Sequence, residues 1–501
     1  MKRLLSILVC LSVFQACDNC LDETEYTYSI SSETFYNTAD DANAAVLAPL
    51  DVMRLNYDSN FYTLLEVSTE YCYAKGIYQT YNEYNGFMNS TQITRNESNW
   101  IKFYKTIMYC NTAIEKLPAA KEMTEAEITA YLGELKFLRG FNYFTLVKHW
   151  GGVPLKTEKN IATWDVPKSS KEDIYAFIIE DLKYAVENCP DKARSLATPN
   201  KNAARICLAD VYMYTGNYEE AKRLAGEVVN GGAYSLVQVS APRDFDKVFG
   251  YDLTTSTEEV FYIKTSRTDY KTWDYLAHVS HPKYEIEPGK TMLNGNGYFT
   301  HYTDLRNHVI STWDTDDFRY GLNVGFYVFG ADAYGEYTCL LTKFWDPNSQ
   351  GGGANVSIPL IRYPDAMLIF AEATARVAGA PTEESIEMLN QLRRRAYGRD
   401  PKIPDMELDY KLSDYNTMDD FIDLLIKEET YEHFNEGKHW DFIVRLGKAQ
   451  ELVGKYFNVK DGFWTEIQER HYLWRIPDSE FNYNKAMNQV TDQNPGYTSA
   501  N

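Results

Sequence analysis

Apolar residues return at helical intervals along most of the chain. In WIKFYKTIMYCNTAIEKL, the positions Trp100, Tyr104, Ile107, Asn111 and Ile114 fall three or four residues apart and predict an amphipathic helix with one buried stripe. The segments SETFYNTADDANAAVLAPLDVMRLNY before it and EAEITAYLGELKFLRGFNYFTLVKHW after it are amphipathic in the same way. The latter runs into Gly151-Gly152-Val153-Pro154, a helix stop. These segments read as scaffold.

A finer pattern lies in ARICLADVYMYTGNYEEAKRLAGEVV. Leu208-Ala209-x-x-Tyr212 followed by Gly216-x-Tyr218-x-x-Ala221 has the spacing of a tetratricopeptide repeat, in which small residues let two antiparallel helices approach and an aromatic fills the gap above them. A weaker copy occurs in AMLIFAEATARVAGAPTEESIEMLNQLRRRA, with Ala371, Ala375, Gly379 and Leu389 in comparable places. Between the two copies, residues 235–359 are rich in Gly, Asn, Asp, Trp and Tyr and read as a long, loop-dominated insertion. The chain thus divides into a leader over 1–16, a tether over 17–31, a helical region over 32–234, the insertion over 235–359 and a second helical region over 360–501.

Two aromatic stretches depart from the helical period. EYCYAKGIYQTYNEYNGFMNSTQ, from Glu70 to Gln92, packs Tyr71, Tyr73, Tyr78, Tyr81 and Tyr84 into fifteen residues holding one Ile and no Leu or Val. Gly76, Asn82, Asn85 and Gly86 are turn formers, so the stretch reads as a loop. Flat apolar faces edged with hydroxyls and amides suit a ligand that is itself half apolar and half hydroxylated, and sugar rings are such ligands. Tyr73, Tyr78, Tyr81, Asn82 and Tyr84 are the ligand-binding candidates here, joined by Trp273 and Tyr275 of DYKTWDYLAH and Tyr298 of NGNGYF. The competing reading is that the same rings cover neighbouring helices. Trp150, Trp313, Trp440 and Trp474 are assigned to the scaffold.

The N-terminus carries Lys2 and Arg3 ahead of LLSILVCLSVF, an apolar run of eleven residues, short for a membrane span and right for a secretory signal. Ala16 then precedes Cys17, the expected site of lipidation and the mature N-terminus. Acyl chains at about 0.8 kcal/mol per buried CH2 would hold such a protein on a membrane. The eight cysteines are scattered, outside CDNC, and predict neither a zinc site nor disulfides.

A formal charge of -21 argues against nucleic acid as a partner, the longest basic run being Arg393 to Arg395. With 71 acidic residues, carboxylate pairs arise by number alone, and no HExxH, GxSxG or phosphate loop is present. The expectation is a binding protein with no catalytic residues, no cofactor and no metal.

In their order, several segments resemble the SusD/RagB family of outer-membrane nutrient-binding lipoproteins of Bacteroidetes. These are SETFYNTADDANAAV, ELKFLRGFNYFTLVKHWGGVPL, DVYMYTGNYEEAKRLAGEVVNGGAYSL, KFWDPNSQGGGANVSIPLIRYPDAMLIFAEA, EGKHWDFIVRLGKA and YLWRIPDSEFNYNKAMNQVTDQNPGY, together with the Trp100 helix. The chain departs from the family pattern at Glu429, where Arg is usual, at His439, again in place of Arg, and at Phe442, in place of Asp with Asp441 one position early. The resemblance implies a mainly α, SusD-like fold in which four tetratricopeptide-type helix pairs support an irregular ligand-binding face. It implies a lipid-anchored protein on the outer membrane, facing the cell exterior, that binds an oligosaccharide or polysaccharide and delivers it to a SusC-like TonB-dependent transporter. A lipid-anchored repeat scaffold that binds peptides or proteins is the alternative.

Overall fold

The computed structural model describes residues 35–82, 87–268, 270–327, 337–456 and 467–497; Cys17 and Tyr84 lie outside them. Helices α1 (Ala39–Asn56), α2 (Ser59–Val67), α3 (Ser90–Lys116), α4 (Glu125–Trp150), α5 (Lys171–Asn188), α6 (Lys201–Thr215) and α7 (Tyr218–Val229) occupy the first half. Helices α8 (Tyr363–Ala378), α9 (Glu383–Ala396), α10 (Met418–His433) and α11 (His439–Arg445) follow in the second. Most starts have a capping side chain: Thr38, Asn89, Thr124, Ser170, Asn200, Asn217, Thr382 and Thr417 each accept a hydrogen bond from a backbone N–H of the first turn.

Helix α1 packs on α3, and from α3 to α10 each helix packs on the next, giving the stacked pairs α1/α3, α4/α5, α6/α7 and α8/α9 of a tetratricopeptide-like array. Ala209 and Ala221, which carried the repeat signature, are fully buried where α6 and α7 meet. Contact between α7 and α8 bridges some 130 residues of intervening chain. There Gly226 allows the close approach, since a Cβ on it would stand 3.0 Å from the Phe370 ring.

The α3 stripe begins earlier than the apolar period indicates. The helix starts at Ser90, and its first three turns bury Gln92, Asn96 and Asn99 in place of apolar residues. Asn96 donates from Nδ2 to the Arg475 carbonyl at 2.6 Å, so a polar residue holds a core position by satisfying the returning C-terminal segment. Trp150 Nε1 donates to the same carbonyl at 3.1 Å and Asn494 Nδ2 donates to the Trp150 and Trp474 carbonyls. Residues 467–497 are thereby strapped across α3 and α4. Trp150, Trp313, Trp440 and Trp474 are all buried in the core.

Among the described residues, every strand but one lies between α7 and α8. Strands β2 (Glu259–Ile263) and β8 (Ile358–Arg362) pair antiparallel, with Glu259 opposite Arg362 and Ile263 opposite Ile358, so the insertion leaves and rejoins the helices at one place. Strands β3 (Glu285–Glu287) and β4 (Lys290–Thr291) form a small hairpin. A four-stranded antiparallel sheet has the order β1-β5-β7-β6, from Tyr73–Ala74, His301–Asp304, Thr338–Leu341 and Val324–Phe326. Its β1 comes from the tyrosine-rich segment, which is therefore not a free loop: Tyr73 pairs with Tyr302 and Ala74 with His301. A single 3-10 helix, Gly76–Tyr81, follows.

The insertion is clamped to the helices by buried charge. Arg362 donates to Glu436, Glu258 and Glu432, Arg395 to Glu258 and Glu432, and Arg319 to Asp317, Glu428 and Glu432. Lys343 Nζ donates to Glu436 Oε1 at 2.5 Å and to the carbonyls of Glu432 and Phe434. The arginines are at most 2% exposed. Burial opposes charge on Arg319 and Arg362, but the facing carboxylates keep both firmly protonated, while Arg395, Arg362 and Arg319 hold Glu432 well below the ordinary carboxylate range. Arg394 and Arg395, part of the longest basic run, are thus internal ion-pair partners and not a surface patch.

Candidate functional site

The two aromatic stretches that stand apart in the sequence are brought into one body. The Tyr62, Trp273 and Tyr275 rings form a triangle, with centroids 4.9 Å (Tyr62–Trp273), 4.6 Å (Tyr62–Tyr275) and 5.2 Å (Trp273–Tyr275) apart, and Trp273 Nε1 donates to the Tyr57 carbonyl at 2.9 Å. Tyr275 donates from its hydroxyl to Asn435 Oδ1 at 2.6 Å. Tyr78 sits edge-on to His278 at 4.9 Å and to His301 at 5.2 Å, and Tyr81 lies 6.2 Å from Tyr78. Tyr73 stacks on Tyr302 at 5.6 Å, and its hydroxyl accepts from Asn307 Nδ2.

This placement corrects the expectation of a rim of stacked rings. Tyr73, Tyr78, Tyr81, Trp273 and Tyr275 are between 0 and 8% exposed, so these rings are packing, with no face open to a ligand. Asn82 is a brace as well: its Oδ1 accepts from the Ala74 N–H at 2.6 Å and its Nδ2 donates to the Val67 carbonyl at 2.7 Å. The sequence could not separate the two roles, because a ring that covers a helix and a ring that awaits a sugar have the same composition around them.

Among the described residues, Tyr298 is the predicted ring that reaches the surface, at 68% exposure. It is the outer end of an aromatic column, from Tyr81 through Tyr78 and His278, whose imidazole lies 5.5 Å from the Tyr298 ring. The loop that presents it is strained: Asn294, Gly295, Gly297 and Phe299 all have positive φ. Gly297, at φ +137°, is obligatory, since a Cβ there would meet the Ser280 carbonyl oxygen at 2.3 Å. Hydrogen bonds from the Tyr298 N–H to the Ala277 carbonyl at 2.6 Å and from the Thr300 N–H to the His278 carbonyl at 2.7 Å then fix the backbone on either side. The Gln350-Gly351-Gly352 turn lies beside the Tyr298 hydroxyl, which a Cβ on Gly352 would meet at 3.9 Å. Ile77, beside Tyr78, and Tyr270, three residues before Trp273, are also exposed, at 62 and 81%.

The imidazoles behind Tyr298 are neutral, and the Arg95 guanidinium lies over the Tyr78 ring at 4.4 Å. Burial lowers the His278 pKa to about 4, against a smaller opposing effect of Asp274, and burial holds His301 well below its usual value. His278 is also occupied, with Nδ1 2.9 Å from Thr300 Oγ1 and Nε2 3.4 Å from the Tyr78 hydroxyl. The site offers a ring face and hydrogen-bonding edges to a neutral ligand and has its imidazoles engaged in structure.

A tetratricopeptide-like helical array supporting an irregular face with an exposed aromatic defines a helical-repeat binding protein. A family model described as "Starch-binding associating with outer membrane" matches residues 12–213, and the model of the SusD family matches residues 330–497. The chain belongs to the SusD/RagB family. A SusD-like protein of Formosa agariphila is 27% identical over 479 residues, covering 89% of this chain and 92% of its own. Among solved structures, a SusD homolog from Bacteroides thetaiotaomicron superposes with a TM-score of 0.77 at 19% identity, over 93% of this chain and 98% of that one. A laminarin-binding SusD-like protein superposes with a TM-score of 0.71 at 21% identity, over 92% of this chain and all of that one.

Proposed function

We propose that the protein is a surface lipoprotein that binds an oligosaccharide or polysaccharide through the face around Tyr298, leaves it chemically intact and passes it to a SusC-like TonB-dependent transporter. The observation that carries the binding role is the exposed Tyr298 ring on its strained Asn294 to Phe299 loop, a conformation whose cost is repaid where a side chain must be held out for recognition. Family membership supports a nutrient as the ligand, and the laminarin-binding protein of the same fold makes laminarin a natural first probe. Capture without reaction is supported by the engaged state of His278 and His301, which hold structural hydrogen bonds beside the site. Membrane attachment rests on Ala16-Cys17 behind the apolar leader, and the family model's own description associates such chains with the outer membrane.

A glycan array that includes laminarin, run beside a peptide library, tests the reading. Binding of a glycan that Tyr298→Ala weakens, with the ligand recovered uncleaved, is the expected result. Selective binding in the peptide library, or cleavage products from the glycan, would replace it with the scaffold or the enzyme reading.

A further inference from the structure

Eight tryptophans lie among the described residues. Seven are at most 4% exposed, whereas Trp164, on the connection between α4 and α5, is 84% exposed. So large an apolar face left in water is unusual for this residue type. A second open ring belongs to the C-terminal strap: Tyr483, at the end of the short helix Asp478–Tyr483, is 81% exposed.

The segments that carry the two rings are pinned to each other. Asn484, which is buried, donates from Nδ2 to the Val166 carbonyl at 2.7 Å, across 318 positions of chain, and to Glu480 Oε1 at 2.8 Å. The Lys485 N–H donates to Asp165 Oδ1 at 2.8 Å, and Lys156 Nζ donates to the Trp164 carbonyl at 3.2 Å. Val166 and Met487 are buried and root the two segments, while Glu480 accepts from Trp100 Nε1 at 3.3 Å and ties the short helix to α3. Both rings are thus held out on backbone that is already fixed, so a ligand need not order it.

The chemistry beside the rings favours one class of ligand. Thr163, Asp165, Asn482, Lys485, Asn488 and Gln489 are the exposed polar side chains of the two segments, with one carboxylate and one ammonium offsetting each other. Branched aliphatics contribute only Ile161 and Val490 to the exposed positions of 161–167 and 482–490. A protein-docking patch gathers apolar side chains at its centre. Open ring faces set among amides and hydroxyls match instead the C–H face and hydroxyl rim of a sugar, the chemistry that Tyr298 presents from the insertion.

We propose that Trp164 and Tyr483 form a second platform for a neutral glycan, built on the α4–α5 connection and the C-terminal strap and so apart from the Tyr298 face. Resting on the glycan-binding reading above, this assigns a polymer as the ligand: a polysaccharide repeats its own epitope, so the two platforms together hold it more tightly than either does alone.

Native gel electrophoresis through a panel of neutral polysaccharides led by laminarin tests this. Trp164→Ala/Tyr483→Ala should weaken the retardation of the wild type by about tenfold in apparent affinity, with an unchanged melting temperature because both rings are exposed. Tyr298→Ala should remain retarded until these two substitutions are added to it. Saturating polysaccharide should also shield wild-type fluorescence from iodide, and Trp164→Phe should remove that protection, which reads the site should the alanine variant not fold. Unaltered retardation in Trp164→Ala/Tyr483→Ala, loss of all retardation in Tyr298→Ala, or no shielding of Trp164 overturns the second platform alone and leaves these rings to a protein partner. Failure of every polysaccharide to retard the wild type overturns the glycan reading itself, and this proposal with it.

Discussion

His439 Nε2 stands 3.0 Å from Glu70, a residue 369 positions away in the chain, and its Nδ1 stands 2.5 Å from Glu429. All three side chains are at most 2% exposed. Burial alone would lower the His439 pKa, but the Glu70 and Glu429 carboxylates raise it to about 10, and Glu429 falls to about 2 in return. Two departures from the family pattern, Glu429 and His439, are therefore partners: an acid and an imidazolium stand together where the pattern has arginines.

Stability should follow this contact. The folded His439 pKa lies above the unfolded value of 6.5, so the stabilisation is complete below pH 6.5 and is lost as pH rises through about 10. His439→Gln leaves two buried carboxylates without their cation and should cost about 3–5 kcal/mol in urea unfolding at pH 6. The difference between wild type and variant should shrink steadily between pH 6.5 and 10; a constant difference across that range would place the effect elsewhere.

Arg362→Ala should be as damaging, by about 3–5 kcal/mol, because Glu258, Glu432 and Glu436 each lose a donor in the interior. The loss should be felt first where β8 meets β2. Limited proteolysis is expected to cut between residues 263 and 358 before the helices, whereas uniform digestion would show that the clamp is not local.

The tyrosines should divide by burial. Tyr78→Ala and Tyr81→Ala remove rings from the core and should lower stability by about 3 kcal/mol with little change in the intact fraction's glycan affinity. Tyr298→Ala should change stability by less than about 0.5 kcal/mol and weaken binding by about 1–3 kcal/mol. Thermal melts and glycan titrations on the three variants separate the cases.

Gly297→Ala tests the presentation of Tyr298 and not the ring itself. A Cβ placed 2.3 Å from the Ser280 carbonyl cannot be accommodated without moving the loop, so affinity should fall although every aromatic is retained. Unaltered affinity would show that the loop conformation is immaterial to binding.

Cys17→Ser should abolish fatty-acid labelling and release the protein from the membrane fraction. Persistent labelling would assign the anchor to another residue.

The helical scaffold was legible because its information is periodic. Trp100, Ile107 and Ile114 are buried on one face, and the small residues Ala209 and Ala221 mark a helix contact by themselves. The candidate site was legible in region but not in role. Tyr78 and Tyr298 occupy similar sequence surroundings, yet their exposures are 4 and 68%, and the difference arises from pairing of β1 with β5 across more than two hundred residues. The ionic clamp was hidden for the same reason: Arg319, Arg362 and Arg395 read as ordinary charges until the fold encloses them.

The pairing of Glu259 with Arg362 and Ile263 with Ile358 also has a bearing on how such proteins diversify. A segment whose two ends are neighbours can be exchanged for another of different length without disturbing the array that holds it, since closing a longer excursion adds only about 0.6 kcal/mol per doubling. A newcomer must also meet the seam at Tyr73 and Ala74 and replace the cations that Arg319 and Lys343 present to Glu428, Glu432 and Glu436. Recombination across β2 and β8 would thus hand one lineage a new appetite in a single event, with the helices inherited unchanged.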